Sequence, residues 1–140
     1  MFPSGVIMPI RSRVMPKLRL IVSVAEGELT LRDIQIHRSS VLEHPLHDER
    51  FGLLFDMRRV TEFDMQTSDL RMHANEGIVS GRRYSRVAFI APRDLAFGLA
   101  RMYEVYVGKQ YGEESVRVFR QPQDAWLWLR RSLAEDQSAR

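Results

Sequence analysis

Four arginines follow segments that we predict to be strands, and their positions suit anion binding. Arg58 and Arg59 come after one apolar run, and Arg93 and Arg120 each follow another. The carboxyl ends of parallel strands meet at one edge of a sheet, close to helix amino-termini that favour phosphate or carboxylate groups. One hypothesis is therefore an anion site at this edge, or an enzyme site there with Asp64 as the base. The alternative, which is the simpler interpretation, is a set of solvated loop salt bridges to acidic residues, namely Glu26, Glu28, Glu62, Asp64 and Asp94.

Two hydroxyl residues, Thr67 and Ser68, stand at the start of a predicted helix. A hydroxyl in this place can cap the helix by accepting a hydrogen bond from a free backbone N–H group. A phosphate added to either residue would meet the same N–H groups and could reach Arg58. Capping is the simpler interpretation, and phosphorylation of Thr67 or Ser68 is the alternative.

Several other chemistries lack the residues that they need. The absence of cysteine excludes thiolate metal sites and cysteine nucleophiles, and no glycine-rich nucleotide fingerprint is present. His37, His44 and His47 fall near one predicted loop, where exposed histidines are a simpler interpretation than metal ligands. Asp56 lies near the end of a predicted strand, but no lysine follows a later strand, as a phosphoacceptor site would require. We expect Asp56 to accept a hydrogen bond from the backbone of the next loop, and we expect no metal and no cofactor.

Composition indicates an ordinary globular domain. The 140 residues suit a single domain, with a core at about 17–133, a frayed start at 1–4 and a polar tail at 135–140. The net charge of +3 comes mostly from arginines spread along the chain, which favours a solvated surface over a nucleic-acid interface. No apolar run is long enough to cross a membrane, and no signal peptide is recognisable, so we expect a cytoplasmic protein.

Hydrophobic periodicity and capping residues predict the order β-β-α-β-α-β-α-β-α. A capping box of Thr30 and Asp33 begins the first helix, and the polar stretches 26–28 and 58–64 are interpreted as connections between elements. This order predicts an α/β fold, a single mixed and mainly parallel sheet flanked by helices, with the amino-terminal strand at an edge. The strands are predicted at 5–11, 18–25, 51–57, 87–91 and 116–119. The inner face of the third helix is predicted to be Leu95, Leu99, Met102, Tyr103 and Tyr106.

The stretch LLFDMRRVTEFDMQTSDL, together with GELT before the first helix and RDLAFGLARMYE after a strand that ends in proline, resembles STAS domains. The nearest relatives would be stand-alone bacterial proteins similar to SpoIIAA, the anti-sigma-factor antagonist. Phosphorylatable members carry a serine in an Asp-Ser-Ser-Gly-like motif at the second helix. Here Asp64 matches that motif, whereas the serine and the glycine are replaced.

The resemblance implies a non-enzymatic regulatory or binding domain that acts through a protein partner or a small anionic or lipid-like ligand. We expect its working surface at the loop before the second helix and the start of the third, formed by Arg58, Arg59, Asp64, Thr67, Ser68 and Arg93. A homodimer is a further prediction, because Trp126, Trp128 and the amino-terminal strand offer more apolar surface than one small sheet needs.

Overall fold

The strands of this chain pair in the order in which they occur. The computed structural model describes residues 9–80 and 84–138. The sheet runs β1 (Ile10–Met15), β2 (Leu20–Thr30), β3 (Gly52–Asp64), β4 (Val87–Ile90) and β5 (Val116–Phe119). β1 is antiparallel to β2, and the other neighbours are parallel, which confirms a mixed and mainly parallel sheet with β1 at its edge. Residues 5–8 of the predicted first strand lie outside the described residues.

In the described residues, four α-helices cover the two faces of this sheet unequally. They are α1 (Leu31–Leu42), α2 (Thr67–Ser80), α3 (Asp94–Tyr111) and α4 (Pro122–Ser138). Right-handed crossovers that all progress in one direction leave their helices on one face. The first three helices accordingly share a core with Ile21, Leu53 and Phe55. α4 packs on the other face, against Leu20, Leu54, Ala88 and Ile90.

The start of α1 forms as the sequence predicts. Thr30 is extended and its side chain accepts a hydrogen bond from the backbone N–H of Asp33 at 3.1 Å, while the Asp33 carboxylate accepts one from the N–H of Thr30 at 3.0 Å. Two of the N–H groups that a helix start leaves without partners are satisfied in this way. Because Thr30 also ends β2, the box fixes the direction in which α1 leaves the sheet.

The predicted connections at 26–28 and 58–64 are wrong, since both stretches are strand. β2 and β3 remain paired as far as Thr30 and Asp64, well beyond the point where β4 ends opposite Asp56. The ladder between them is interrupted twice, between Val24 and Glu26 and again between Gly27 and Glu28. Gly27 takes the positive φ of 78° that such an irregularity favours. These breaks disturb the alternation of apolar and polar residues by which a strand is recognised in a sequence.

The inner face of α3 is also displaced from the prediction. Its buried residues are Ala96, Ala100 and Val107, whereas Leu95 is 64% exposed. Leu99, Tyr103 and Tyr106 are only partly buried and lie beside this line. The small alanines let the helix approach the sheet closely while the larger residues pack at its sides. A search for bulky residues at helical spacing therefore selects a neighbouring face.

Candidate functional site

Two of the four arginines predicted at the carboxyl edge of the sheet, Arg58 and Arg120, pair with acidic side chains. Arg58 makes a two-pronged ion pair with Asp56, with Nη2 to Oδ2 at 2.7 Å and Nε to Oδ1 at 3.0 Å. Asp56 also accepts a hydrogen bond from the backbone N–H of Arg58 at 2.9 Å, as expected of an Asp at this point in the chain, although the donor belongs to the strand and not to a loop. This carboxylate holds the pKa of Arg58 above its usual value through the hydrogen bond.

Arg93 directly precedes α3 and Arg120 directly follows β5, and both donate hydrogen bonds to backbone carbonyls. Arg93 donates from Nη1 to the carbonyl of Val60 at 3.1 Å. Arg120 donates to the carbonyl of Pro92 at 2.9 Å, pairs with Asp94 at 2.9 Å and lies over the ring of Phe97. The Arg120–Asp94 contact is one of the loop salt bridges that the alternative interpretation anticipates.

The remaining predicted residues lie elsewhere. Asp64 is exposed at the end of β3, six residues beyond Arg58 and therefore about 20 Å along the strand. Thr67 and Ser68 are exposed in the first turn of α2, and Arg59 is exposed on β3. Thr67 is already the first helical residue, and the N–H of Gln66 donates to the Asp69 carboxylate at 2.8 Å. The predicted surface is thus spread along β3 and the helix start and does not form one pocket.

A cavity of about 90 Å³ lies between the sheet and the three helices of the same face. Its walls are mainly aliphatic, aromatic and methionine side chains from β3, β4 and the helices. Phe63 and Met65, on the predicted working segment before α2, contribute to these walls. The full lining consists of Leu29, Ile34, His37, Arg38, Leu53, Phe55, Met57, Phe63, Met65, Leu70, His73, Tyr84, Val87, Phe89, Leu99, Ala100 and Tyr103.

Two histidines project into this apolar space from neighbouring helices. His37 of α1 is 8% exposed, and its Nε2 lies 2.7 Å from the hydroxyl of Ser23 in β2. His73 of α2 is 7% exposed, and no residue in the described part of the chain offers a hydrogen-bond partner to its Nδ1. The prediction that His37 is an exposed loop residue is therefore wrong, because α1 carries it on the apolar face between Ile34 and Val41.

The cationic side chain of Arg38 lines the cavity and contacts both neighbouring helices. Its Nη1 donates to the backbone carbonyl of His73, and its Nη2 donates to the hydroxyl of Tyr103 at 3.0 Å. One guanidinium from α1 thus contacts both α2 and α3. It passes so close to Gly77 that a Cβ there would lie 2.9 Å from Nη2. Within the described ranges, no carboxylate lies within 4 Å of it.

Burial keeps His37, His73 and Tyr84 neutral at pH 7. Desolvation, with a smaller contribution from the positive charge of Arg38, lowers the pKa of His37 to about 4. The same two causes, and the neighbouring His37, lower the pKa of His73 to about 3. Burial likewise raises the pKa of Tyr84, whose hydroxyl has no hydrogen-bond partner among the residues described. The cavity therefore presents one cation and several neutral polar atoms in an apolar wall.

Comparison with known proteins agrees with this architecture. The sequence matches the SpoIIAA-like family over residues 20–130. The chain belongs to the SpoIIAA-like family. A crystal structure at 2.25 Å resolution, of an uncharacterised protein of the DUF3478 family from Shewanella loihica PV-4, is described as having a SpoIIAA-like fold. It superposes on this SpoIIAA-like chain with a TM-score of 0.55 at 18% identity, covering 91% of this chain and 99% of the other. Curated protein sequences yield no match.

The sequence contained a signal for the cavity residues that the search for motifs did not use. His37 stands at helical spacing with Ile34 and Val41, and His73 stands three residues after Leu70. A polar side chain on the apolar stripe of a predicted helix is either paired in the core or faces a cavity. Three further features follow from tertiary structure alone, namely the contacts of Arg38, Tyr84 and Tyr103. Neither a membrane-spanning helix nor a cluster of three or more potential metal ligands occurs within residues 9–80 and 84–138.

Proposed function

We propose that this SpoIIAA-like protein is a non-catalytic binding domain that holds a small apolar or lipid-like ligand in the cavity beneath α1, α2 and α3. The cavity carries the proposal, because native interiors rarely leave voids of this size next to polar atoms without partners. Its volume of about 90 Å³ is smaller than the roughly 150 Å³ that admits benzene in an engineered core. A longer ligand requires the lining to yield, and Met57 and Met65 have the flexible side chains that allow this.

The enzyme alternative receives less support from the geometry. A base at Asp64 would need a pocket and a nearby cation, but Asp64 is exposed and Arg58 is paired with Asp56 far along the strand. The predicted working surface of Arg58, Arg59, Asp64, Thr67, Ser68 and Arg93 remains a prediction for a protein partner, with phosphorylation of Thr67 or Ser68 as its control. Intact mass of the denatured protein, isolated from its own host, tests that modification directly.

Binding in the cavity is tested by NMR of the protein labelled with ¹³C at its methionine methyl groups. The probe is 1-hexanol, which is neutral and apolar. Met57 and Met65 line the cavity, whereas Met72 is 46% exposed on α2 and serves as an internal control. We expect saturable shifts of the first two methyl signals and none at Met72. Equal changes at all methionines, or no saturable change, would contradict the proposal.

A pair of matched variants locates the bound probe. Ala100→Leu adds three carbons to a residue that lines the cavity, so it should abolish the hexanol-induced shifts. Ala134→Leu makes the same chemical change on the exposed surface of α4 and should leave them intact. Retention of the shifts in Ala100→Leu, in a variant whose thermal unfolding remains cooperative, would place the probe outside the cavity.

A further inference from the structure

The lining of the cavity contains hydrogen-bond donors and a cation but no carboxylate. The polar residues that face it are His37, Arg38, His73, Tyr84 and Tyr103, and each can donate a hydrogen bond. His73 Nδ1 and the Tyr84 hydroxyl have no partner among the described residues. A ligand that carries hydrogen-bond acceptors can satisfy such a lining, and a negative charge would complement the guanidinium.

Arg38 has the position that an anchoring group requires. Besides the main cavity, its side chain lines a second cavity of about 50 Å³, shared with Tyr84, Tyr103 and Val107. It also lines an outer groove of about 240 Å³ between α1 and α2. The guanidinium therefore separates an apolar interior from a polar opening. A head group bound to it would lie at the boundary, with its chain directed into the apolar space.

The hydrogen bonds that Arg38 makes do not neutralise its positive charge, so the guanidinium can still pair with an anion. Two N–H groups contact neutral oxygens, the His73 carbonyl and the Tyr103 hydroxyl. The outer groove also contains the carboxylates of Glu43 and Glu76, but both residues are exposed and lie beyond ion-pair distance of Arg38. Exposed charges at that separation are strongly screened by water, so they neutralise the half-buried guanidinium poorly.

From this arrangement, and resting on the proposed function, we propose that the ligand is an amphiphile with a carboxylate head group, and that Arg38 anchors the head. The head accepts hydrogen bonds from the Arg38 guanidinium and from the donors of His73 and Tyr84, while the aliphatic chain occupies the cavity. Arg38 gives the site its preference for an anionic head, and the apolar wall gives it affinity for the chain. The arginines at the edge of the sheet take no part in this site.

The experiment compares hexanoate, 1-hexanol and hexylammonium at pH 7 by the Met57 and Met65 methyl shifts. We expect the wild-type protein to bind hexanoate at least about tenfold more tightly than 1-hexanol, as a charge-assisted contact exceeds a neutral one, and to bind hexylammonium most weakly. Arg38→Met keeps an unbranched side chain but removes the charge, so it should bind hexanoate no more tightly than 1-hexanol. Arg38→Lys should retain part of that preference because it retains the charge.

The outcomes separate the two proposals. If 1-hexanol binds in the cavity and hexanoate binds no more tightly, the head-group assignment is overturned while the proposed function stands. If Arg38→Met keeps the full preference for hexanoate, Arg38 is not the anchor. If neither probe binds in the cavity, both proposals fail. The ratio measured on the wild-type protein decides the head-group question even if Arg38→Met does not fold.

Discussion

Acidification should destabilise this protein mainly through the two histidines of the cavity. The pKa of His37 is about 4 and that of His73 about 3 in the folded chain, both through burial. In the unfolded chain each has its ordinary pKa of about 6.5. The unfolded state therefore binds more protons below pH 6.5, so stability is complete above that pH and is lost as the pH falls towards 4.

The magnitude follows from these values. Lowering the pH from 7 to 5 should reduce the free energy of unfolding by about 2 kcal/mol for each histidine, and by about 4 kcal/mol for the pair. That loss is a large part of the 5–15 kcal/mol typical of a domain. Urea unfolding at pH 7, 6 and 5, followed by far-ultraviolet circular dichroism, measures it.

Two variants assign the effect to its source. His73→Phe keeps an aromatic ring beside Tyr103 and removes a ring nitrogen that lacks a partner, and the Arg38 bond to the backbone carbonyl of residue 73 survives. We expect its loss between pH 7 and 5 to be smaller than that of the wild-type protein by about 2 kcal/mol. His44→Gln changes an exposed residue and should behave as wild type. An equal loss in His73→Phe and wild type would refute burial of a neutral His73.

Four further variants test single contacts by urea unfolding at pH 7. Asp56→Ala should cost about 1–3 kcal/mol, because it removes a buried carboxylate and leaves a backbone N–H group without its partner. Asp48→Ala removes a similar contact, between Asp48 and the backbone N–H and side chain of Arg50, from a site where the carboxylate is 39% exposed, so it should cost less than about 1 kcal/mol. Equal losses of stability in the two variants would show that burial does not determine the strength of this contact. Thr30→Ala should cost about 1 kcal/mol through the lost cap, and an unchanged midpoint would argue against the capping box. Gly77→Ala should leave the free energy of unfolding within about 1 kcal/mol of wild type, since the gain in helix propensity offsets the displacement of Arg38. The same variant should weaken hexanoate binding, because the new Cβ displaces the guanidinium. Unaltered binding would show that Arg38 tolerates this displacement.

The sequence was sufficient for the order of the elements and for the fold class, because each rests on local periodicity and capping. Thr30 and Asp33 illustrate this, since these two residues determine where α1 begins. The extent of β2 and β3 could not be predicted, because the bulges near Gly27 interrupt the two-residue period on which strand prediction depends. The inner face of α3 was missed because its contact is made by small residues, Ala96 and Ala100, which carry a weak hydrophobic signal.

Prediction of the candidate site was less successful for a physical reason. The sequence predicts an anion site at the strand ends, because arginines recur there after apolar runs. In the structure, Arg58 and Arg120 form ion pairs with Asp56 and Asp94 instead. The cavity is formed instead by residues that are distant in sequence. Arg38 and Tyr103 are 65 residues apart, yet they share a hydrogen bond. The segment before α2 belongs both to the predicted working surface and to the cavity, because Met65 lies in it and lines the cavity.

The long pairing of β2 with β3 also affects how copies of this chain can meet. Beyond Asp56, the described residues of β3 pair with β2 on one side only, so the other side is an open strand edge. Such an edge invites another chain to add a strand, a common route to aggregation. Here Arg58, Arg59, Glu62 and Asp64 are exposed along it, and Arg93 already occupies the carbonyl of Val60. Charge and a side-chain contact thus oppose the addition of a strand at this edge.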